Sequence, residues 1–505
     1  MRVRAFMASA VAAGVWLLVA AGSGAAAPSH VPWQKCFVDF GPFQCGTVQV
    51  PLDYDHSSGG TISISLIRLP AGGSGVEYTL FAGPFLYTPA VRAHFDLVGF
   101  DPRGIGRSTA LRCFGNPKQW GPYFLPIAFP TTAAEERAWI RSDLFLDSAC
   151  GQRGGSIIDH MSTANVARDL DRLRQAVGDA KLNYAGVSYG SYLGVTYANL
   201  FPGRVRAVIV DGVIDPIAWA TGRGGEGNTV PFSTRLESDV GAQATLEQFF
   251  RLCDAGGPKC AFAPHAAARF AALAARLKQS PVVITFPDGS SFVLDYSTLI
   301  AGTLGAMYDS SSWEGFAETL AEVEGALEAG SAPASLRADL RQLRFRPAYI
   351  SKRGFPRYPN LLEGFPAVGC ADTDNPHSYA AWSAAGAAAD AAHGYFGRIW
   401  TWVSSVCAKW PAADSDRYPG PFNHRTANPV LVIGNLFDPA TRYQGAVTVA
   451  HLLPNSELLT VHGWGHTSLF LSRCADQVQT RYLLHPALPR PGIVCEQDRV
   501  PFTGS

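Results

Sequence analysis

The chain has 505 residues, 47% of them hydrophobic and 16% charged, enough to bury a large core in one elaborated domain or in two. Lysine plus arginine and aspartate plus glutamate both number 41, giving a formal net charge of zero. That balance excludes the basic excess that would draw in nucleic acid or an anionic membrane surface.

At the start, MRVRAFMASAVAAGVWLLVAAGSGAAAPSH sets Arg2 and Arg4 before an apolar run and ends with Ala25 and Ala27 in an Ala-x-Ala arrangement. Residues 1–27 therefore read as a secretory signal cleaved near Ala27, which makes the expected location extracellular. No later segment is long and apolar enough to cross a bilayer, so no stable membrane association is expected. The ten cysteines show no zinc-ligand spacing, and in an exported chain they read as disulfides. Pairing neighbours in order (Cys36 with Cys45, Cys113 with Cys150, Cys253 with Cys260, Cys370 with Cys407, Cys474 with Cys495) closes short loops without crossings.

GTVQVPLDY and TISISLIRL alternate apolar and polar residues around the turn material SSGG and read as two paired strands. FDLVGF, residues 95–100, is a short apolar run feeding the loop DPRGIGRS. STANVARDLDRLRQAVG spaces Val166, Leu170, Leu173 and Val177 for a helix, capped by Ser162 or Thr163 and stopped at Gly178. KLNYAGVS as strand, YGSYLGVTYANLF as helix and RVRAVIVDGV as strand then follow, which implies parallel βαβ units and an α/β sheet covered on both faces.

From residue 215 to residue 428 the chain turns to alanine-rich amphipathic helices, with one hairpin in VVITFPDGSSFVL turning on Asp288-Gly289. The sheet pattern returns in PVLVIGNLFDPAT and SELLTVHGWGHT. The expected organisation is a core formed by residues 28–214 and 429–505, interrupted by a helical cap over 215–428.

In open parallel sheets, ligands lie beyond the carboxyl ends of the strands. Three predicted strand ends carry Ser188, Asp438 and His466, in the chain order nucleophile, acid, base of α/β-hydrolases. A serine hydroxyl must lose its proton as it attacks a carbonyl; an imidazole takes it near neutral pH, and a buried carboxylate fixes the imidazole's tautomer. Gly186 and Gly190 flank Ser188 as Gly-x-Ser-x-Gly, leaving room for a sharp strand-to-helix reversal, and the helix start offers the Tyr189 N–H to an oxyanion. Asp211, in VIVDGVIDP, competes with Asp438 for the acid but reads as a structural carboxylate, because Asp438 lies on the strand just before the one leading to His466. His462 reads as strand-edge packing. DPRGIGRS matches no phosphate loop and reads as a turn near the site mouth.

Together, CGTVQVPLDY, FDLVGFDPRGIGRST, GVSYGSYLGVTYANLFPGRVRAVIVDGVIDP, GCADTDNP, FDPATRYQGA and GWGHTSL resemble the secreted tripeptidyl aminopeptidases of actinobacteria, relatives of the proline iminopeptidases. The resemblance implies an α/β-hydrolase fold with a helical cap, no cofactor and no metal, and release of short peptides from a free N-terminus by Ser188, Asp438 and His466. It also implies carboxylates that meet the substrate's ammonium group, for which Glu237, Asp239, Glu247, Asp372 and Asp374 are the candidates. The sequence departs from the family pattern where relatives carry a further strand and a longer glycine run: here SISLIRLPA runs straight into GGSGVEY, so one core strand near residue 71 is expected to be missing, leaving Gly72 or Gly73 as the second oxyanion donor. An esterase with the same triad, and a homologue silenced by the shortened oxyanion segment, are the alternative readings.

Overall fold

The computed structural model describes residues 15–20, 31–39, 41–70, 86–286, 288–329, 336 and 360–503. Ten strands form one sheet: β1 (Val15–Ala20), β2 (Gln34–Lys35), β3 (Gln44–Pro51), β4 (Thr61–Leu69), β5 (Phe95–Phe100), β6 (Leu182–Val187), β7 (Val205–Asp211), β10 (Val430–Phe437), β11 (Ser456–Trp464) and β12 (Val494–Glu496). The short strands β8 (Val282–Thr285) and β9 (Ser291–Leu294) form a separate hairpin. The spatial order of the sheet is β12-β11-β10-β7-β6-β1-β5-β4-β3-β2.

From β6 to β12 the five strands are parallel. Helices cover both faces, so alternate residues of each strand enter different cores. Val208, Val210, Val430 and Val432 enter one, and Ala207, Ile209, Leu431 and Ile433 the other. At the far edge β3 and β4 pair antiparallel over eight residues, and β4 buries alternate positions such as Ile62, Ile64 and Leu66.

In the middle of the sheet, β1 lies antiparallel between β5 and β6, pairing Trp16 with Gly99 and Ala185, and Leu17 with Val98 and Tyr184. β1 thus closes the gap between β5 and β6, and residues 71–85, near which a core strand is expected to be missing, lie outside the described residues. The strand that closes the gap belongs to the 1–27 segment expected to be removed as a signal. Taking it away would leave the facing ladders of β5 and β6 without a partner.

Helix α1 (Thr163–Ala176) begins where expected, with Ser162 capping it by accepting the Asn165 N–H, and ends before Gly178, whose φ of +90° suits glycine. Helix α2 (Tyr189–Leu200) follows β6 and is buried over most of its length. Between β7 and β10, helices α3 (Ser238–Gly256), α4 (Ala266–Gln279), α5 (Tyr296–Met307) and α6 (Trp313–Ala329) gather a core of their own around Phe249, Phe270, Leu299 and Trp313. Helix α7 (Leu361–Asp372) and the turns at Trp219 and Phe232 pack instead on the main sheet core. The inserted segment is thus divided, one part forming its own unit and the other completing the sheet's cover.

All five neighbour pairings of cysteine are made, with Cα–Cα distances of 4.3–5.8 Å. Arg103 of DPRGIGRS, fully buried, donates to both oxygens of Asp169 at 2.8 and 2.7 Å, and Tyr54 adds a third donor at 2.7 Å. The loop is therefore an anchor into α1, an interaction that sequence spacing does not reveal.

Candidate active site

Ser188 stands at the junction of β6 and α2 with φ +56° and ψ −125°, a conformation that L-residues occupy only where the surroundings enforce it. Those surroundings are visible. Its N–H donates to Asp211 O at 2.9 Å, and its carbonyl accepts from Ser191 N–H at 2.8 Å and Ser191 Oγ at 2.5 Å. Gly186 is required because a Cβ there would sit 2.2 Å from Gly190 O, the same carbonyl that accepts from the Tyr184 hydroxyl at 2.6 Å. Tyr189 opens the helix, and its N–H is one of the first-turn donors that a helix leaves without an internal partner.

Asp438 follows β10 and is 1% exposed. Its carboxylate accepts from Ala440 N–H, Thr441 N–H, Thr441 Oγ and Thr467 N–H at 2.8–3.1 Å, and faces His466 Nδ1 at 2.9 and 3.0 Å. Burial works against this carboxylate's charge, but His466 and the surrounding donors outweigh it and hold its pKa below the ordinary aspartate value. For His466 burial works against the cation, and the charge and hydrogen bond of Asp438 overcome it to raise the imidazole's pKa. With Nδ1 turned to the carboxylate, Nε2 is left as the proton acceptor.

Asp211 meets a different partner: it accepts from Ser468 N–H at 2.9 and 3.1 Å and from Ser468 Oγ at 2.6 Å. Burial pushes its carboxyl up to about 6. It ties the loop after His466 to the strand end whose carbonyl holds Ser188. Gly212 continues that junction; a Cβ there would lie 2.8 Å from Thr467 Cγ2 and 3.4 Å from His466 Cε1. The elbow and the histidine loop therefore converge, although among the described residues the Ser188 hydroxyl and the imidazole share no hydrogen bond. His462 is not at a strand edge as expected: it lies on β11 between β10 and the edge strand β12, with its side chain exposed and its Nδ1 3.3 Å from Glu496 of β12.

The five carboxylates considered for an ammonium group go to different places. Glu237, half-exposed and in the left-handed region at φ +53°, precedes α3 and pairs with Arg442. Its neighbours close on the acid loop: Ser238 Oγ donates to Ala440 O at 2.5 Å, and a Cβ on Gly241 would come within 2.5 Å of Asp438 O. Asp239 is buried against His393 at 2.7 Å, Glu247 lies exposed further along α3 beside Gln243, and Asp374 pairs with Arg417 at 2.6 Å. Asp372 is interior. It accepts from Thr163 N–H, Thr163 Oγ and Trp219 Nε1, and burial pushes it up to about 7. Through Thr163, which also contacts the Tyr189 hydroxyl, it lies beneath the elbow rather than in front of it. Gly72 and Gly73 lie outside the described residues.

Several residues at the site escaped the sequence reading. Thr441 was accessible in principle, since Asp438-Pro-Ala-Thr is a run in which an aspartate caps the N–H groups two and three residues on. Asn435, which donates to Gly465 O at 3.0 Å and Thr467 O at 2.5 Å, and Tyr308, whose carbonyl accepts the His466 N–H at 2.9 Å, carry no such local signal.

Residues 69–278 match the alpha/beta hydrolase fold family, and residues 393–495 match the family described as TAP-like protein. The chain is 29% identical to a tripeptidyl aminopeptidase of Streptomyces coelicolor, over 94% of this chain and 88% of that one. It is 30% identical to the serine protease Hip1 of Mycobacterium tuberculosis, over 89% of this chain and 87% of that protein. It is also 30% identical to a protein of the same organism named carboxylesterase B, over 94% and 92%. With its parallel sheet, its helices on both faces and this likeness along almost its whole length, the chain belongs to the TAP-like family of α/β-hydrolases and is a hydrolase.

Proposed function

We propose that the protein is an exported serine peptidase that keeps β1 in its sheet, so that the expected cleavage near Ala27 does not occur, and that removes short peptides, of the tripeptidyl type, from free N-termini. The observation that carries the reading is the convergence of a strained Ser188 elbow with an imidazole whose Nδ1 is held by a buried, ionised Asp438. In the reaction, His466 Nε2 takes the Ser188 proton as Oγ attacks the scissile carbonyl. The Tyr189 N–H receives the developing oxyanion, and the protonated imidazole gives its proton to the leaving amine. Water then repeats the cycle on the acyl-enzyme.

The helical segment acts as the cap that limits entry to chain ends, and Glu237 is the carboxylate best situated for the substrate's ammonium group. It borders the acid loop and its ion pair with Arg442 is open to solvent, whereas Asp239 and Asp372 are spent on interior contacts. Five disulfides support an oxidising compartment.

A fluorophosphonate is expected to label the protein at Ser188 and to fail on Ser188→Ala; unlabelled but folded wild-type protein would overturn the reading. The relative named carboxylesterase B motivates a second reading, an esterase using the same residues. Turnover of a tripeptide anilide against a short acyl ester, each with the amine free or blocked, separates the two. A peptidase of this kind loses the anilide reaction when the amine is blocked, and an esterase does not depend on the amine.

A further inference from the structure

The loop bearing His466 is held from two sides. On the sheet side, Gly465 N–H donates to Phe437 O at 3.0 Å and Asn435 grips the carbonyls on either side of the histidine. The other side is made by the inserted helical segment. Tyr308, just past α5, accepts the His466 N–H on its carbonyl at 2.9 Å and sets its ring edge-on to the imidazole, 5.1 Å between centroids at 68°. Asp309 forms an antiparallel bridge with Gly465, where a side chain would come within 2.9 Å of Tyr308 O, so glycine permits the approach.

The clasp extends outward. Gln497 accepts the Trp464 N–H at 2.9 Å and donates to Ser310 Oγ at 2.8 Å, and Arg499 pairs with Glu314 at 2.6 Å. The base is thus bound to the inserted helical segment by contacts to residues 464, 465 and 466, and among the described residues no hydrogen bond joins the Ser188 hydroxyl to the imidazole.

We infer that Tyr308 is a positioning residue: it fixes the imidazole of His466 from the cap side, so that the approach of the base to Ser188 depends on where the helical segment sits. The inference rests on the serine-hydrolase reading above. Its physical basis is that general-base catalysis is steep in geometry, a misplacement of about 1 Å costing up to ~10²-fold. The ring and the clasp both act on that coordinate, through the imidazole and not through substrate.

The test uses the full chain and two readouts, the second-order rate of fluorophosphonate labelling and the separation of kcat from KM on a tripeptide anilide. Tyr308→Ala is expected to lower labelling and kcat by roughly 10-fold or more with KM changed less than about twofold, and Tyr308→Phe, which keeps the ring, is expected to rescue most of the loss. Gln497→Ala cuts the clasp without touching the tyrosine and is expected to lower kcat in the same sense. Should Tyr308→Ala fail to melt cooperatively, Tyr308→Leu, which retains apolar volume and the carbonyl, takes its place beside Gln497→Ala. Folded variants that label and turn over at the wild-type rate would overturn the inference, as would a loss confined to KM. Failure of the wild type itself to label at Ser188 is a different outcome, which sinks the serine-hydrolase reading instead.

Discussion

The two flanks of Ser188 are built on different principles. On the side of β7, β10 and β11, the loops carrying Asp211, Asp438 and His466 are bound to one another by charged and backbone hydrogen bonds, so each group's position is determined several times over. On the side of β1 and β5, the neighbour of the nucleophile strand comes from more than 160 residues upstream and is held by its antiparallel ladder. Redundant polar contacts tolerate the loss of any one. A central strand does not, because the backbone groups of both neighbours lose their partners together.

The sharpest way to break this contrast is to remove the strand. A chain beginning at residue 28 is expected to lose its cooperative thermal melt by circular dichroism and all Ser188 labelling. A 28–505 protein that melts cooperatively and labels would mean that β5 and β6 close without β1. Leu17→Pro, which takes one donor from the centre of that ladder, is expected to act in the same direction.

On the redundant flank, Asp438→Asn is expected to lower kcat by ~10⁴ while leaving the fold intact, since the amide disturbs the imidazole's tautomer but occupies the same space. Asp211→Asn serves as the contrast. Its contacts go to Ser468, so it is expected to cost about 1–3 kcal/mol of stability, read by denaturant melting, and far less of kcat. A drop in kcat comparable to that of Asp438→Asn would show that Asp211 shares with Asp438 in setting the base.

The pH profile sharpens the same comparison. Catalysis needs a neutral imidazole, and Asp438 raises the His466 pKa, so the acid limb of kcat/KM is expected above the ordinary histidine value of ~6.5. Whatever residual activity Asp438→Asn retains is expected to have that limb displaced to lower pH, because the stabilising charge is gone.

The smallest effect on chemistry is expected at the disulfides. Opening Cys370–Cys407, which spans 37 residues, should cost roughly 4 kcal/mol of stability, against roughly 2 for Cys253–Cys260, which spans 7. Neither is expected to change kcat of the folded protein.

The legible parts of this molecule were those with a local signature. Gly186 and Gly190 around Ser188 announce the elbow because a side chain at Gly186 would collide with the turn it makes. The spacing of Val166, Leu170 and Leu173 announces α1 because its apolar side is turned into the main sheet core, although nearly the whole helix is buried. The neighbour pairing of cysteines was readable because short loops close most easily. Tyr308, Gln497 and the Arg103–Asp169 pair were not readable, because their partners lie far away in sequence and nothing in their own neighbourhoods distinguishes them from ordinary residues.

By itself, then, the sequence determined the run of strand, elbow and helix around Ser188, which follows from periodicity and from steric demands within a few residues, and its motifs carried the resemblance to the family. The tertiary structure alone decided where each acidic residue of the helical segment goes, what holds the His466 loop from the far side, and what fills the sheet beside β6. Those outcomes depend on which segments approach one another in space. An apolar run such as VWLLVA has the same appearance whether it is bound for a bilayer or for the middle of a sheet; the ladders it makes with β5 and β6 are what distinguish the second.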